Sequence, residues 1–389
     1  MIEQERKEPV LSSQHAGSPL RIGILGAGNI ARLHSVGWNE FPENAHIAAY
    51  SDVDTVRAKF MSDTHTGGTA KTYDSIDAIV ADPEIDVIDI CLPHHLHVDA
   101  VLKAAQAGKA ILCEKPLCTN LSDAAKIRET IASTGVIFMG AHNNLFTPSL
   151  LEARRLLSGG FIGKPFMYRT IEVFQSRGFD PWSKDASTTG GGQRGWRADL
   201  RTSGGGELLD TGYHSTYRLL SLASGERPVE VTGFLSRFLQ SHLPTEDTGH
   251  VFVRFESGAV GEILTSWALD VVGARQFEIE GEFGALAGSA TSLSHQLYRW
   301  PEPSTRSYPA PATFTLEIGH FIEVVKNGAT NAAPIDDTIR TLQLIKAAYL
   351  SAKLGATVSL PEDPAGIPVP RETAVVTPYS VDVPDEVLG

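Results

Sequence analysis

The feature that most constrains this chain is a glycine turn set between an apolar run and a helical pattern. Arg21–Leu25 (RIGIL) has the length and composition of a buried strand. It leads directly into Gly26-Ala27-Gly28-Asn29-Ile30-Ala31, and a helical pattern follows to Phe41. In such a turn the first glycine makes the bend and the second lets the backbone approach a pyrophosphate. The third small residue, here Ala31, lets the helix pack on the strand. The helix start adds unpaired N–H groups and the positive end of the helix dipole. A second strand, His46–Ser51, ends in Asp52, 21 residues after Ala31. A carboxylate at that place accepts hydrogen bonds from ribose hydroxyls and repels a 2′-phosphate. Ser51, Val53 and Asp54 supply no cation to reverse this. The expected cofactor is therefore NAD, with NADP as the second choice.

The alternation continues. Ile85–Leu92 reads as a strand, followed by a helix from His95 to Ala107 that Gly108 ends. Ala110–Cys113, a helix over Leu121–Thr134 and a strand over Val136–Ala141 complete the run. Strands alternating with helices imply parallel crossovers. After Pro148 the texture changes. A helix (Ser149–Ser158) leads to Lys164–Phe174 and a Gly- and Ser-rich loop, Gln175 to Ser203. A helix near Leu208–Ala223 precedes apolar segments at Val229–Phe238, His250–Glu256, Gly261–Trp267 and Phe277–Glu280, and a last helix fits Thr338–Leu354. The expected fold class is α/β: an N-terminal Rossmann-type doubly wound parallel sheet plus a C-terminal α+β domain with a mostly antiparallel open sheet. The expected divisions are a tail (1–19), a dinucleotide-binding domain (20–142), a substrate and oligomerisation domain (143–360) and an extended tail (361–389).

Composition narrows the class. A chain of 389 residues suggests two or three domains and is long enough to bury its core without disulfide or metal staples. Lys+Arg 33 against Asp+Glu 46 leaves a net charge of −13, so the basic footprint of a nucleic-acid partner is absent. No run of 18 apolar residues offers a membrane-spanning helix. Three cysteines (Cys91, Cys113, Cys118) and a polar start without a secretory pattern point to a cytoplasmic protein.

Lys115, in Glu114-Lys115-Pro116, stands at the carboxyl end of a parallel strand, where ligands bind in open α/β sheets. Asp210 and His214 are four apart. On a continuous helix they share one face, and an imidazole titrating near neutrality is a natural base. With Leu92-Pro93-His94-His95-Leu96-His97 and Gly204–His214, these motifs follow one another in an order that resembles the Gfo/Idh/MocA family from about Arg21 to Leu354.

The resemblance implies NAD(P)-dependent hydride transfer at a secondary alcohol or ketone of a sugar, sugar derivative or cyclitol, without a metal. It makes Lys115, Asp210 and His214 the catalytic candidates. The cofactor candidates are Gly26, Gly28, Asn29, Ile30, Asp52, Leu92, Pro93, His94, His97, Glu114, Lys115 and Asn144. For His97, simple packing at its helix start is the other reading. Trp196-Arg197 resembles family members that act on pyranose or inositol rings, and Glu172 is a further substrate candidate. A homodimer or homotetramer built through the second domain's sheet is expected. Two other outcomes stay open: a glycoside-processing enzyme that recycles bound NAD through oxidation at C3 and elimination, and a non-catalytic NAD-bound regulator.

Overall fold

The computed structural model describes residues 18–173, 196–240, 244–270, 275–300 and 302–371, which form two compact units. The first comprises Met1–Phe146, Asp185–Gly205 and Ala312–Leu342. Its strands are β1 (Leu20–Leu25), β2 (Ala45–Ser51), β3 (Lys71–Tyr73), β4 (Val87–Ile90), β5 (Ala110–Glu114) and β6 (Phe138–Ala141). They form one parallel sheet in the order β3-β2-β1-β4-β5-β6. That is the classic dinucleotide-binding order, with its switch point between β1 and β4. Helices α1 (Asn29–Asn39), α2 (Thr55–Thr66), α3 (Ile76–Val80), α4 (His97–Gln106) and α5 (Leu121–Thr134) connect the strands. The central strands are buried on both faces, with Ile22, Ile24, Val87, Ile88, Ile111 and Leu112 all fully inaccessible.

Local chemistry sets several of these boundaries. Asp54 caps α2 by accepting from the N–H groups of Val56 and Arg57. Asn120 caps α5 through Asp123, and Gly135, at φ 68°, closes that helix in the left-handed region.

The second unit comprises Thr147–Lys184, Gly206–Pro311 and Gln343–Gly389. It opens with α6 (Pro148–Ser158) and β7 (Pro165–Val173). Its sheet has ten strands in the order β14-β13-β12-β11-β7-β10-β9-β8-β15-β16. The members after β7 are β8 (Pro228–Ser236), β9 (Thr248–Phe255), β10 (Val260–Ser266), β11 (Phe277–Gly281), β12 (Gly284–Ser289), β13 (Ser292–Leu297), β14 (Ser304–Ser307), β15 (Val358–Ser359) and β16 (Val369–Pro370). Every pairing is antiparallel except β7 with β10. One face is sealed by helix: a Cβ on Gly261 would lie 2.9 Å from Leu219, and one on Gly233 2.7 Å from the Ala348 carbonyl. Along β9, buried Val251, Val253 and Phe255 alternate with His250, Phe252 and Arg254 on the open face.

Several elements depart from the sequence reading. Trp196–Ser203, expected as loop, is a 3-10 turn (Trp196–Ala198) followed by α7 (Leu200–Ser203), with Asp199 capping. The helix expected over Leu208–Ala223 is broken at Thr211 into α8 (Glu207–Asp210) and α9 (Gly212–Leu222). Helix α10 (Thr313–Asn327) was not anticipated and belongs to the first unit, although residues 143–360 were expected to form a single domain. The physical reason is its packing on α1. Gly37 leaves room for Ile318, whose Cδ1 would be 2.6 Å from a Cβ there, and Trp38 meets Phe321 edge-on at 6.2 Å. Helix α11 (Ile335–Leu354) starts earlier than expected. The tail expected from 361 contributes β16. No described helix is long and apolar enough to cross a membrane.

Candidate functional site

The glycine turn has the geometry its residues require. Gly26 sits at φ 94°, and a Cβ there would fall 2.4 Å from the Cys91 carbonyl oxygen, so a side chain is excluded twice over. Its N–H donates to the Ser51 carbonyl at 2.7 Å. The Ala27 N–H donates to Asp52 Oδ2 at 2.8 Å, and Asp52 Oδ1 accepts from the Asp54 N–H. Asp52 therefore shapes the turn as well as standing where a ribose would be read. Gly28 occupies the cap position of α1 without any side-chain cap, and a Cβ on it would meet nothing within 4 Å. Asn29 is exposed and Ile30 half-buried. An open glycine at an uncapped helix start, beside a carboxylate, fits a dinucleotide. Gly26–Ile30 would hold the pyrophosphate and Asp52 the adenosine ribose.

The turns after β4 and β5 are joined by one buried side chain. His97 Nδ1 lies 2.8 Å from the Pro116 carbonyl oxygen and Nε2 2.8 Å from that of Leu92. Burial pulls its pKa down, against the two carbonyls. Both ring nitrogens are occupied by backbone, so His97 offers none to a cofactor. It clamps the segments that carry Leu92-Pro93 and Lys115-Pro116, the latter joined by a cis peptide bond. This is the packed arrangement given above as the other reading of His97. His94 is also buried. Its Nδ1 meets the Ser203 carbonyl at 3.0 Å, and its ring packs against Trp196 at 4.4 Å between centroids. The Arg197 guanidinium lies 4.2 Å over the same indole. Trp196 and Arg197 thus gather on the strand-end turn of the first unit. Trp182 and Gln193 of the same loop lie outside the described residues.

Lys115 is half-buried at the end of β5. Its N–H donates to Glu114 Oε2 at 3.0 Å. Asn144 is half-buried in the 3-10 turn Asn143–Phe146, where Asn143 donates to Thr313 Oγ1 at 2.9 Å.

Three site residues escaped the sequence reading. His142 follows β6; burial, and then the nearby Lys115 ammonium, lower its pKa to about 3, so it stands as a neutral imidazole. His34 and Asp89 form a buried pair: His34 Nδ1 is 2.9 Å from Asp89 Oδ2, and His34 Nε2 is 3.1 Å from Glu114 Oε1. The available signal was Asp89 in the middle of the strand pattern IDVIDICL, since a buried carboxyl requires a partner.

In the second unit, Asp210 ends α8 and is nearly inaccessible, while His214 lies half-buried in the first turn of α9. They do not share one continuous helix. Thr211 between them keeps helical dihedrals (φ −83°, ψ −35°), and Gly212 packs so closely that a Cβ on it would lie 2.7 Å from Thr265 Oγ1. The segment is anchored by Glu207, whose Oε1 accepts from the hydroxyls of Thr211 and Thr265, and by the Trp267 indole N–H, which donates to Thr211 Oγ1. Glu172 accepts from Arg218 Nη2 at 2.8 Å, and the same buried guanidinium donates to the carbonyls of Ile171 and Gln276. Glu172 thus neutralises a buried arginine on α9, a structural task that the substrate reading did not foresee.

Comparison with known proteins places this geometry. The family profile for "Oxidoreductase family, NAD-binding Rossmann fold" matches residues 20–142, and the one for "GFO/IDH/MocA C-terminal domain" matches residues 150–287. The chain is 26% identical over 355 residues to a scyllo-inositol 2-dehydrogenase (NAD(+)) of Bacillus subtilis, covering 88% of this chain and 96% of that protein. It is 27% identical over 359 residues to a myo-inositol 2-dehydrogenase of Thermotoga maritima, covering 88% and 99%. A levoglucosan dehydrogenase solved with NADH and levoglucosan has the same fold, with a TM-score of 0.79 at 22% identity over 88% of this chain and all of that one. With both halves matched in order and the glycine turn built as a dinucleotide requires, the chain belongs to the GFO/IDH/MocA family of NAD-binding oxidoreductases.

Proposed function

We propose that this protein transfers a hydride between NAD and a secondary alcohol or ketone on a polyhydroxylated ring, a sugar, a sugar derivative or a cyclitol. The observation that carries the reading is Lys115. It is held at the carboxyl end of β5 in a unit whose glycine turn fits the dinucleotide, within a chain similar almost end to end to two inositol dehydrogenases. When bound, the nicotinamide supplies the hydride acceptor or donor. The protein's own task is to move the hydroxyl proton and stabilise the oxygen charge. His214 takes the proton, Lys115 holds the developing oxyanion, and Asp210 holds a neighbouring hydroxyl or orients the imidazole. Asp52 reads the ribose and favours NAD over NADP. Trp196 and Arg197 supply a ring face and hydrogen-bond donors to the substrate.

We further propose a homo-oligomer formed through the open face of the ten-stranded sheet. Support comes from the apolar residues that this face exposes, Phe234 at 62%, Phe252 at 37% and Val260 at 37%. Light scattering on Phe234→Glu, with reversion to monomer expected, tests it. We also propose a cytoplasmic address, the reading that the small, odd number of cysteines in the sequence supports.

The deciding experiment offers sugars, inositols and glycosides with NAD and NADP and follows the absorbance of reduced cofactor. Turnover on at least one ring is expected. Lys115→Ala should lower kcat by about 10³ or more, and Asp52→Ala should weaken discrimination against NADP. Silence on every polyhydroxylated ring would overturn the substrate class.

A further inference from the structure

We propose that the buried His34–Glu114 pair is a positioning device for Lys115, in which one Glu114 oxygen holds the Lys115 backbone N–H while the His34 ring holds the other. The inference rests on the reading of Lys115 as an acting residue. His34 is fully inaccessible on α1, the helix that opens at the glycine turn. Its Nδ1 faces both oxygens of Asp89, at 3.0 and 2.9 Å, and its Nε2 faces Glu114 Oε1 at 3.1 Å. Carboxyl oxygens thus face both ring nitrogens, the arrangement in which an imidazolium donates on both sides. Burial works against that charge, but Asp89 overrides it and holds the His34 pKa well above its usual value.

The surroundings on every side agree. From α1 itself, the Trp38 indole N–H donates to Asp89 Oδ2 at 2.8 Å. Beyond the end of β4, burial pushes the Cys91 thiol up. From α10 the Phe314 ring lies 5.4 Å from the imidazole, and burial holds the Glu317 carboxyl well above the usual range, so it faces the cluster neutral. From β2 the Tyr50 hydroxyl pairs with Ser35, and burial raises it to about 12. The charges are thus one imidazolium between two carboxylates. His34, Asp89 and Cys91 place ligand atoms within 4.8 Å of one another. Both imidazole nitrogens nevertheless point at carboxylate oxygens, so a proton does what a metal would do elsewhere.

The consequence for Lys115 is geometric. β5 ends at Glu114, so the next N–H leaves the ladder and needs an acceptor. Glu114 Oε2 provides it at 3.0 Å, and on the other side His97 fixes the Pro116 carbonyl. Rotation of the Glu114 carboxylate would break one contact or the other. The lysine is pinned at both flanks, and the His34 charge holds one of the pins.

The test uses full-length His34→Gln, Glu114→Gln and the double variant, with Glu114→Asp as a charge-preserving change that withdraws the carboxylate by one carbon. Each single variant should lower kcat about 10- to 100-fold. NAD affinity of His34→Gln, read by binding fluorescence, should stay within about threefold. The double variant should be no more than about threefold worse than the worse single, because the pair acts as one unit. Independently of any substrate, the rate of Lys115 acetylation by acetic anhydride at fixed pH, mapped by mass spectrometry, should change by at least about threefold in either direction, with exposed Lys59 unchanged. If folded variants with wild-type melting temperature keep both kcat and Lys115 reactivity, the pair is packing only and the proposal fails. Should His34→Gln not fold, Glu114→Asp decides by the same two readouts. An inactive wild type would count against the substrate reading and leave the acetylation arm to decide this one.

Discussion

One pair of buried acids in each unit, Asp89 with Glu114 and Glu207 with Glu246, is held in contrasting surroundings. In the first, Asp89 and Glu114 lie against a histidine ring whose pKa is held well above its usual value. In the second, Glu207 meets the hydroxyls of Thr211 and Thr265. Glu246 meets the Tyr349 hydroxyl at 2.6 Å and the Leu208 N–H at 3.0 Å. Burial raises both acids above the usual carboxyl range, Glu207 far above it. The contrast shows what decides the state of a buried carboxyl. Burial pushes such a carboxyl toward its neutral form unless a cation or enough N–H donors outweigh it, and at Glu207 the two hydroxyls do not. The linkages then open in different windows. His34 and Glu207 both have raised folded-state pKa values, so each contribution to stability is fully present below the unfolded pKa and is lost as pH rises. For Glu207 the loss begins near pH 4.3, and for His34 near pH 6.5, the unperturbed values.

The sharpest way to break the comparison is to remove the cation. His34→Leu leaves two buried carboxylates facing each other without a counter-charge and should cost about 3–5 kcal/mol. Hydrogen exchange read by mass spectrometry should confine the loss of protection to the first unit. A loss below about 1 kcal/mol would mean that the carboxylates need no imidazolium.

A smaller effect is expected at a carboxylate of the second unit that does stay ionised. Asp247 is inaccessible. Burial would raise its pKa, but the N–H groups of Gln240, Phe238 and Leu239 outweigh that and lower it. Asp247→Ala should cost about 2 kcal/mol, read by urea denaturation. Because the folded-state pKa is depressed, this stabilisation is present above about pH 3.9 and fades as pH falls through the folded value.

The smallest change is expected for Glu207→Gln, whose amide oxygen still accepts from the two threonines. At pH 7 its stability should match or exceed wild type within about 1 kcal/mol. Its urea midpoint should gain on wild type between pH 4 and 7, because the neutral amide has no proton to lose. Parallel pH profiles for the two proteins would show that Glu207 is not held protonated.

The reach of the sequence differed between the same two regions. Five of the six parallel strands needed few cues, because continuous apolar runs such as Arg21–Leu25 and Ile85–Leu92 are bounded by glycine and proline. The short strand Lys71–Tyr73 has no apolar core of its own and escaped. In the second unit β12–β14 were missed, since Gly284–Ser289 and Ser292–Leu297 mix small and polar residues, and only their pairing makes them strands. The tight seat of Gly212 was invisible for a similar reason: it packs on Thr265, a strand residue far along the chain.

What the residues settle by themselves is the glycine turn and the acid that supports it. A positive φ, a bare helix start and a carboxylate at the end of the next strand are properties of neighbours in the chain. The proton on His34 is different. Its partners stand 55 and 80 residues away, and its charge exists only because folding removes water while bringing two carboxylates to one ring. Desolvation and long-range charge are functions of coordinates rather than of order along the chain, and so the tertiary structure alone decided them.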